Sequence, residues 1–172
     1  MLLLNSSIIG KKVLSIREGH QIGEILGILC QPKNLKIEGF YVKDYSDKQI
    51  KILLSQDIRE IYRQDFIAND RDSLSNSEEL IKHKQIIELN YDLIKKPVKT
   101  ISGRRIGKVE DFAFDSDNMF ILKLYVHQSI LKNFNGAIKS IDRGQIIEVN
   151  ERQVVVEEPE ELVSVTAPAT VA

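Results

Sequence analysis

The amino-acid sequence contains the same ordered series of residues twice, about 84 positions apart. The matched pairs are Leu4/Leu89, Val13/Val98, Ser15/Thr100, Gly19/Gly103, Ile22/Ile106, Gly23/Gly107, Ile25/Val109, Asn34/Asn118, Ile37/Ile121, Tyr41/Tyr125 and Val42/Val126. Chance produces isolated matches, but it does not produce an ordered series across both halves of a chain. The series therefore indicates an internal duplication, and both copies are expected to adopt the same architecture.

Each copy has the pattern of a string of short β-strands. Aliphatic and β-branched residues dominate, and Trp is absent from the chain, a bias that favours strands. The predicted strands are 13–16, 22–31, 37–42, 51–54, 58–62 and 66–68 in the first copy, and 98–101, 106–115, 121–126, 137–140, 146–149 and 154–157 in the second. The polar segments 32–34 and 116–118 are typical of hairpin turns.

The glycines inside the second predicted strand of each copy indicate how the sheet curves. Gly23 and Gly27 interrupt the alternation of apolar residues, as a bend at a barrel corner requires. The fold class predicted is all-β, with two tandem small six-stranded barrels that each close their own apolar interior. The predicted domains are a first barrel over 1–70, a linker with a short helix over 71–88, a second barrel over 89–157 and a disordered tail over 158–172. Ser75 and Glu78 are predicted to form a capping box at the start of the linker helix.

The repeated pattern resembles the PRC-barrel family. It is carried by Val13, Ser15, Gly19, Ile22, Gly23 and Ile25, and again by Val98, Thr100, Gly103, Ile106, Gly107 and Val109. Members include the cytoplasmic part of the photosynthetic reaction-centre H subunit and the C-terminal half of a ribosome maturation factor. The resemblance implies six-stranded barrels that dock onto other macromolecules and do not catalyse reactions. Neither role transfers directly, because the sequence shows neither a membrane helix nor a distinct N-terminal domain.

Charge and cysteine content narrow the classes of function. The chain has 24 Lys and Arg residues against 25 Asp and Glu residues, a net charge of −1. A protein that holds nucleic acid by its phosphates usually has a basic surplus, so nucleic-acid binding is disfavoured. Cys30 is the single cysteine and cannot form an internal disulfide. No apolar run is long enough to span a bilayer, so the expectation is a cytoplasmic protein without membrane insertion.

The sequence offers no catalytic, cofactor-binding or metal-binding residues. The segment 115–118 is acidic but lacks the distal carboxylate and central Gly of a calcium loop, so a hairpin turn is expected. His20, His83 and His127 are scattered and lack ligand spacing. Cys30 is expected to pack as a small apolar residue, since Phe114 occupies the matching position. The glycines at 19–23 and 103–107 lack phosphate-loop spacing and indicate turns.

Four residues are candidates for contacts between the barrels or with a partner. Ile37 and Tyr41 are predicted to share one face of a strand whose other face is also apolar, and Ile121 and Tyr125 match them. A strand that is apolar on both faces is typically buried on both sides. Packing between the two barrels is favoured, and a homo-oligomer or another protein is the alternative occupant.

The function predicted is therefore a non-catalytic protein-binding adaptor or assembly module with a protein partner. The alternative is a ribosome- or RNA-associated maturation factor. It rests on the most basic part of the sequence, which contains Lys95, Lys96, Arg104 and Arg105.

Overall fold

The computed structural model describes residues 1–128 and 138–158, which form two β-sheets joined by short helical segments. The chain opens with strand β1 (Leu2–Leu4) and helix α1 (Asn5–Ile8). The strands of the first sheet are β2 (Lys12–Ser15), β3 (Gln21–Gln31), β4 (Lys36–Asp44), β5 (Ile50–Leu54), β6 (Ile58–Tyr62), β7 (Asp65–Ala68) and β8 (Leu74–Ser75). Helix α2 (Lys84–Leu89) precedes the second copy. Its strands are β9 (Pro97–Thr100), β10 (Arg105–Asp115), β11 (Ile121–His127), β12 (Ile138–Asp142), β13 (Ile146–Val149) and β14 (Val154–Val156).

The two sheets have the same topology, which confirms the all-β class and the duplication. The strand order is β6-β7-β2-β3-β4-β5-β8 in the first sheet and β12-β11-β10-β9-β14-β13 in the second. In each copy one pair is parallel, β2 with β7 and β9 with β14, and the other pairs are antiparallel. The matching extends to the 3-10 turns Ser55–Asp57 and Arg143–Gln145, which lie between matched strands.

A glycine allows two backbones to approach closely at the same place in each sheet. A Cβ atom on Gly23 would lie 2.7 Å from the carbonyl oxygen of Lys43, and one on Gly107 would lie 2.1 Å from that of His127. Real Cβ atoms do not approach a backbone oxygen so closely, so any larger residue would force the strands apart. A register shift follows each of these glycines, between Ile25 and Gly27 in β3 and between Val109 and Asp111 in β10. These shifts support the sequence prediction of a bend.

The predicted closure into six-stranded barrels is not reproduced by the strand pairing. Both sheets are open within the described residues, because their end strands do not pair with one another. In the first sheet the physical reason is visible: the outer edge of β5 is already occupied by β8, with Ile52 opposite Ser75 and Leu53 opposite Leu74. Strand β8 belongs to the segment predicted as linker, so strand pairing crosses that predicted boundary.

The prediction that each copy closes its own interior is wrong, because the buried residues form one cluster drawn from both copies. Phe40 and Phe114 show the continuity, with ring centroids 6.1 Å apart across the two sheets. Units of this size bury a smaller fraction of their surface when they fold alone than larger domains do. Stacking the apolar sides of two such sheets removes more apolar surface from water than two separate interiors would.

The segment that precedes each copy packs on the other copy. Strand β1 pairs with β10, so that Leu3 lies opposite Phe114, although β1 falls within the predicted first domain. Helix α2, which ends at the matched position Leu89, contacts β3 of the first copy. The two sheets are therefore held together by β1 and α2, each of which packs on the other copy, as well as by their shared core.

The linker is helical in short pieces. The 3-10 turns Ser77–Glu79 and Ile81–His83 precede α2. The capping box is formed by Asn76 and Glu79, one residue later than predicted: the Glu79 carboxylate accepts the Asn76 N–H at 3.1 Å. The C-terminus of α2 is capped by Asn90, whose φ of 44° is left-handed, as is common directly after helices.

In the part of the chain that the structure describes, no helix has both the length and the apolar character needed to cross a membrane. The predicted disordered tail, apart from residue 158, lies outside the described residues.

Candidate functional site at the junction of the two copies

The two copies are joined by backbone hydrogen bonds between matched residues. The Ile37 N–H donates to the Met119 carbonyl at 2.8 Å, and the Ile121 N–H donates to the Leu35 carbonyl at 2.9 Å. Lys36 and Phe120 face each other between these bonds as an antiparallel bridge. The arrangement is the same when the copies are exchanged, so a local twofold axis passes through this point.

The hairpin turns hold the junction in shape from both sides. The Asn34 side-chain oxygen accepts the Lys36 N–H at 3.0 Å, and the Asn118 side-chain oxygen accepts the Phe120 N–H at 3.0 Å. These bonds let Leu35 and Met119 adopt left-handed backbones, with φ of 55° and 59°. Asn is one of the residue types that supports such turns by bonding to the backbone two residues on. The matched Asn residues were visible in the sequence, but the pairing of the two turns was not.

Arg143 closes one side of the junction. Its Nη2 donates to the Asn34 carbonyl at 2.7 Å, its Nη1 donates to the Ile121 carbonyl at 3.2 Å, and the guanidinium lies 4.8 Å from the Phe120 ring centroid. At the matched position in the first copy, the Ser55 hydroxyl donates to the Ile37 carbonyl at 2.9 Å. The longer Arg143 side chain thus donates to the Ile121 carbonyl, which matches the Ile37 carbonyl, and also donates to a carbonyl of the first copy.

Ile37 and Ile121 lie at this junction and are fully buried in the shared core. The predicted common face of Ile37 and Tyr41 does not exist, because a bulge separates them. Along β3, Leu29 pairs with Gly39 and the next residue, Cys30, pairs with Ile37, so β4 contains one extra residue. The same shift occurs in the second copy between Ala113 and Phe114. A one-residue shift reverses the face of every residue beyond it.

Tyr41 lies in a second cluster on the outer face of the first sheet. It is half-buried opposite Gly27, with its Cδ2 3.7 Å from where a Cβ of that glycine would be. The cluster consists of residues from β3, β5 and the linker, namely Leu29, Ile52, Leu54, Leu80, Ile86 and Ile87. The linker therefore covers the face on which Tyr41 stands.

Tyr125 has different surroundings from Tyr41. It is half-buried, with Asp111 opposite on β10 and Ser140 opposite on β12. The Asp111 carboxylate also accepts hydrogen bonds from the backbone N–H and the hydroxyl of Ser6. Ile37, Ile121 and the two tyrosines thus occupy three separate environments rather than one surface.

A cavity of about 420 Å³ lies between the copies. Its walls contain matched pairs of residues from both copies, namely Asn5/Asn90, Ile9/Ile94 and Ile28/Phe112, together with Leu26, Cys30, Tyr41 and Tyr91. Ile9 and Leu26 are 45% and 40% exposed, which places them at the opening to solvent. The cavity could not be predicted from sequence, since its walls come from two separate parts of the chain, residues 5–41 and 90–112.

Cys30 and Tyr91 are the buried polar groups of this cavity. Cys30 is buried, as expected from its match with Phe114, and burial raises the pKa of its thiol to about 12. Tyr91 is 8% exposed, and its hydroxyl is the only buried side-chain polar atom of the described residues without a hydrogen-bond partner. Burial, followed by the nearby Cys30 and Asp92, raises the Tyr91 pKa. An unpaired buried hydroxyl costs about 1–3 kcal/mol.

A buried ion cluster, not anticipated from sequence, fixes the start of the linker to the first sheet. Asp44 is fully buried, and its carboxylate accepts hydrogen bonds from Lys51 Nζ at 2.6 Å and Arg71 Nη1 at 2.5 Å. Burial acts to raise the Asp44 pKa, but the bonds from Lys51 and Ser46 outweigh it and hold the pKa below its ordinary value. The matched position in the second copy is Gln128, so this ion cluster belongs to the first copy alone.

The weaker sequence candidates have ordinary structural surroundings. Asp115 Oδ1 accepts the N–H groups of Asp117 and Asn118 at 2.8 and 3.0 Å, so the acidic segment forms a hairpin turn. His20, His83 and His127 are not brought together, and residues 1–128 and 138–158 contain no group of three His, Cys, Asp or Glu side chains placed to hold a metal ion.

The basic segment is partly engaged within the protein. Lys96 Nζ donates to the Glu151 carbonyl at 2.6 Å and lies 5.1 Å from the Tyr91 ring centroid. Arg104 pairs with Glu158 at 3.4 Å. These contacts hold two of the four cations against the chain itself.

The outer edges of the matched strands β5 and β12 differ. The β5 edge is paired with β8, whereas β12 is the last strand of its sheet within the described residues. In β12 the side chains of Ile138, Ser140 and Asp142 are exposed, and Ile141 is buried. This edge is the clearest difference between the two copies of the sheet.

No protein-family model matches the chain, and no curated protein is significantly similar to it. The resemblance to the PRC-barrel family therefore depends on the repeated motif alone.

Proposed function

We propose that the protein is a non-catalytic adaptor or assembly module that binds an extended segment of a partner protein along the outer edge of β12. Each copy is assigned to the PRC-barrel type. The matched glycine-bearing strands and the six strands in matched order in each copy support this assignment. The proposal rests chiefly on the contrast between the edge of β5, which is covered by β8, and the outer edge of β12, which pairs with no strand of residues 1–128 or 138–158.

The first copy provides an internal example of the proposed binding. Leu74-Ser75 adds to β5 as a short antiparallel strand, and the Leu74 side chain is buried in the shared core. Addition of a strand to a sheet edge is a common mode of peptide recognition, because main-chain hydrogen bonds supply affinity and alternate side chains supply specificity. Strand β12 occupies the same place in the second sheet as β5 does in the first, so its outer edge is suited to the same kind of ligand.

The side chains of β12 indicate what such a segment would contain. Leu74 stands opposite Leu53, and the residue that matches Leu53 is Ile141. A partner segment would therefore place an aliphatic residue opposite Ile141. The exposed residues of β12 are Ile138, Ser140 and Asp142. The polar Ser140 and Asp142 limit uncontrolled edge-to-edge pairing.

The alternative of an RNA-associated factor lacks a comparable supporting feature. Lys96 and Arg104 are engaged with Glu151 and Glu158, and the chain has a net charge of −1. Binding to RNA through phosphates would give an affinity that falls steeply with salt concentration.

The test is affinity purification of the full-length protein from its native host, compared with two proline variants, Lys139→Pro and Ser140→Pro. Successive residues of a strand point their N–H groups to opposite sides, and proline has no N–H. One variant therefore removes a bond to β11 and lowers the melting temperature, and the other removes a donor from the outer edge. The outer-edge variant should lose the co-purifying protein at an unchanged melting temperature.

Glu148→Pro is the matched control, because it changes an exposed residue of β13 at the opposite edge of the same sheet. It should retain the partner. Retention of the same partner by a folded outer-edge variant of β12, or recovery of RNA in place of protein, would overturn the proposal.

A further inference from the structure

The last described residues of the chain follow the same path as the residues that lead to β8 in the first copy. Strand β14 pairs in parallel with β9 as β7 pairs with β2, so that Val156 matches Ala68. The Ala68 carbonyl accepts the Ile16 N–H, and the Val156 carbonyl accepts the Ile101 N–H, both at 3.1 Å. The structural match between the copies therefore continues to the end of these strands.

Two residues beyond these strands, an arginine holds an acidic side chain in each copy. Asp70 accepts a hydrogen bond from Arg17 at 3.4 Å. Glu158, which matches Asp70, accepts one from Arg104 at 3.4 Å. Both arginines lie in the turn that follows the first matched strand of their copy. The two chain segments are thus held alike up to residue 158.

The spacing to the next leucine is also the same in the two copies. In the first copy the chain reaches β5 four residues beyond the acidic residue, where Leu74 pairs with Leu53. Four residues beyond the second acidic residue the sequence again has a leucine, Leu162, which lies outside the described residues. The residue of β12 that matches Leu53 is Ile141. Because segments of equal length have equal reach, Leu162 can reach Ile141 as Leu74 reaches Leu53.

We propose that Leu162 and Val163 bind the outer edge of β12 as a short antiparallel strand, with Leu162 opposite Ile141, and compete there with the partner segment. This inference rests on the proposed function, which makes that edge the binding surface. Strand addition gives the edge N–H and C=O groups of β12 main-chain partners. An aliphatic residue at position 162 also repeats the contribution of Leu74, which is buried in the shared core.

The 162–163 segment is easier to displace than β8, because the second copy lacks the buried ion cluster. In the first copy Arg71, three residues before Leu74, donates to the buried Asp44 at 2.5 Å. The residues at the matched positions are Pro159 and Gln128, neither of which carries a charge. A partner segment with an aliphatic residue can therefore exchange with the 162–163 segment, whereas β8 stays paired with β5.

Hydrogen exchange of the β12 amides in the full chain tests the contact. Leu162→Asp places a charge where the matched leucine is buried, so exchange of the outward-facing β12 amides should accelerate by about tenfold. Val171→Asp is the matched control, because it makes the same kind of change nine residues further along the chain. It should exchange as the wild type does. Equal exchange of these amides in all three proteins would overturn the inference.

A synthetic peptide of residues 157–166 tests the competition from outside. An edge that is free in about a tenth of the molecules binds with about a tenth of its intrinsic affinity. The peptide should therefore bind the Leu162→Asp chain about tenfold more tightly than the wild-type chain, as measured by fluorescence anisotropy. The same peptide carrying Leu162→Asp is the control and should bind neither chain. Equal affinity of the unmodified peptide for the two chains, or no binding to either, would count against the competition.

These measurements use no natural partner, so they separate this inference from the proposed function. Faster exchange and tighter peptide binding in Leu162→Asp, without any co-purifying protein, would support the contact while the adaptor function failed. A partner that is lost from the outer-edge proline variant, together with unchanged β12 exchange in Leu162→Asp, would support the adaptor function and overturn the contact.

Discussion

Lys36 and Phe120 are bridge partners across the junction although they occupy the same position in the two copies. Flanking bonds from Ile37 to Met119 and from Ile121 to Leu35 complete a short antiparallel ladder between the two sheets. The two cores merge directly beneath it, since Ile37 and Ile121 belong to the same buried cluster. The junction is therefore part of the folded unit rather than a contact between two finished domains.

The shared core predicts that the chain unfolds in one cooperative transition. Ile121→Ala removes a fully buried side chain at the junction and should lower the free energy of unfolding by about 2–5 kcal/mol. Calorimetry should give a single peak for the wild type and the variant. Ile138→Ala, at a residue that is 60% exposed, is the control and should change stability little. Two resolved peaks, with only one moved by Ile121→Ala, would contradict a common core.

The buried Asp44 predicts a pH-dependent contribution to stability. Its pKa is lowered in the folded state, so the ionised form stabilises the fold above the unfolded pKa of about 3.9, and this contribution is lost as the pH falls through the folded pKa. At pH 7, Asp44→Asn should cost about 3–5 kcal/mol, because it leaves Lys51 and Arg71 without their buried partner.

Urea titrations of wild type and Asp44→Asn between pH 7 and pH 3 measure this contribution as a difference. The other acidic groups with lowered pKa values are common to both proteins, so the comparison isolates Asp44. The difference should shrink as the pH falls below about 4. A difference that stays constant over this range would show that the carboxylate charge is not what stabilises the linker start.

The close backbone approach at Gly107 predicts that this position does not tolerate a side chain. Gly107→Ala would place a Cβ 2.1 Å from the His127 carbonyl oxygen, and the strand shift needed to relieve the clash should cost about 1–3 kcal/mol or more. Gly144→Ala is the matched control, because nothing lies within 4 Å of its Cβ. Thermal unfolding of both variants is the measurement, and equal melting temperatures would refute the close approach.

The second cluster predicts that Tyr41 holds the linker on the first sheet. Tyr41→Ser removes an aromatic ring that packs against the same buried cluster (Leu29, Ile52 and Leu54) as the linker residues Leu80, Ile86 and Ile87. Hydrogen exchange of the α2 amides should then accelerate by roughly tenfold, which corresponds to about 1.4 kcal/mol. Tyr125→Ser, the matched change in the other copy, should leave α2 exchange unchanged. If the two variants behave alike, Tyr41 does not have this role.

Sequence reasoning located most of the strands because their apolar patterns are local. It placed the second strand of the first copy at 22–31, and β3 is Gln21–Gln31. It also placed the hairpin turns, because Asn34 and Asn118 act on backbone groups two residues away. The one-residue bulge between Ile37 and Tyr41 was missed, since it depends on register against β3 rather than on the residues of β4 alone.

The larger failure of the sequence prediction concerned which elements cover the apolar faces of the strands. An apolar pattern shows that a face is buried, but it does not show what covers it. The pairing of Leu3 with Phe114 joins residues more than 100 positions apart, and no local signal distinguishes it from packing within the first copy. Tyr91 and Cys30 meet in the cavity for the same reason.

The exchange of flanking segments between the copies has a consequence for the origin of the chain. Strand β1 crosses to the second sheet and α2 crosses back to the first, about the axis that passes between Lys36 and Phe120. Such an isologous arrangement with swapped arms is what two identical subunits of a homodimer adopt. The chain is thus organised like a homodimer whose two subunits are joined end to end, and because both sides lie in one chain they can differ in sequence, as the edges of β5 and β12 do.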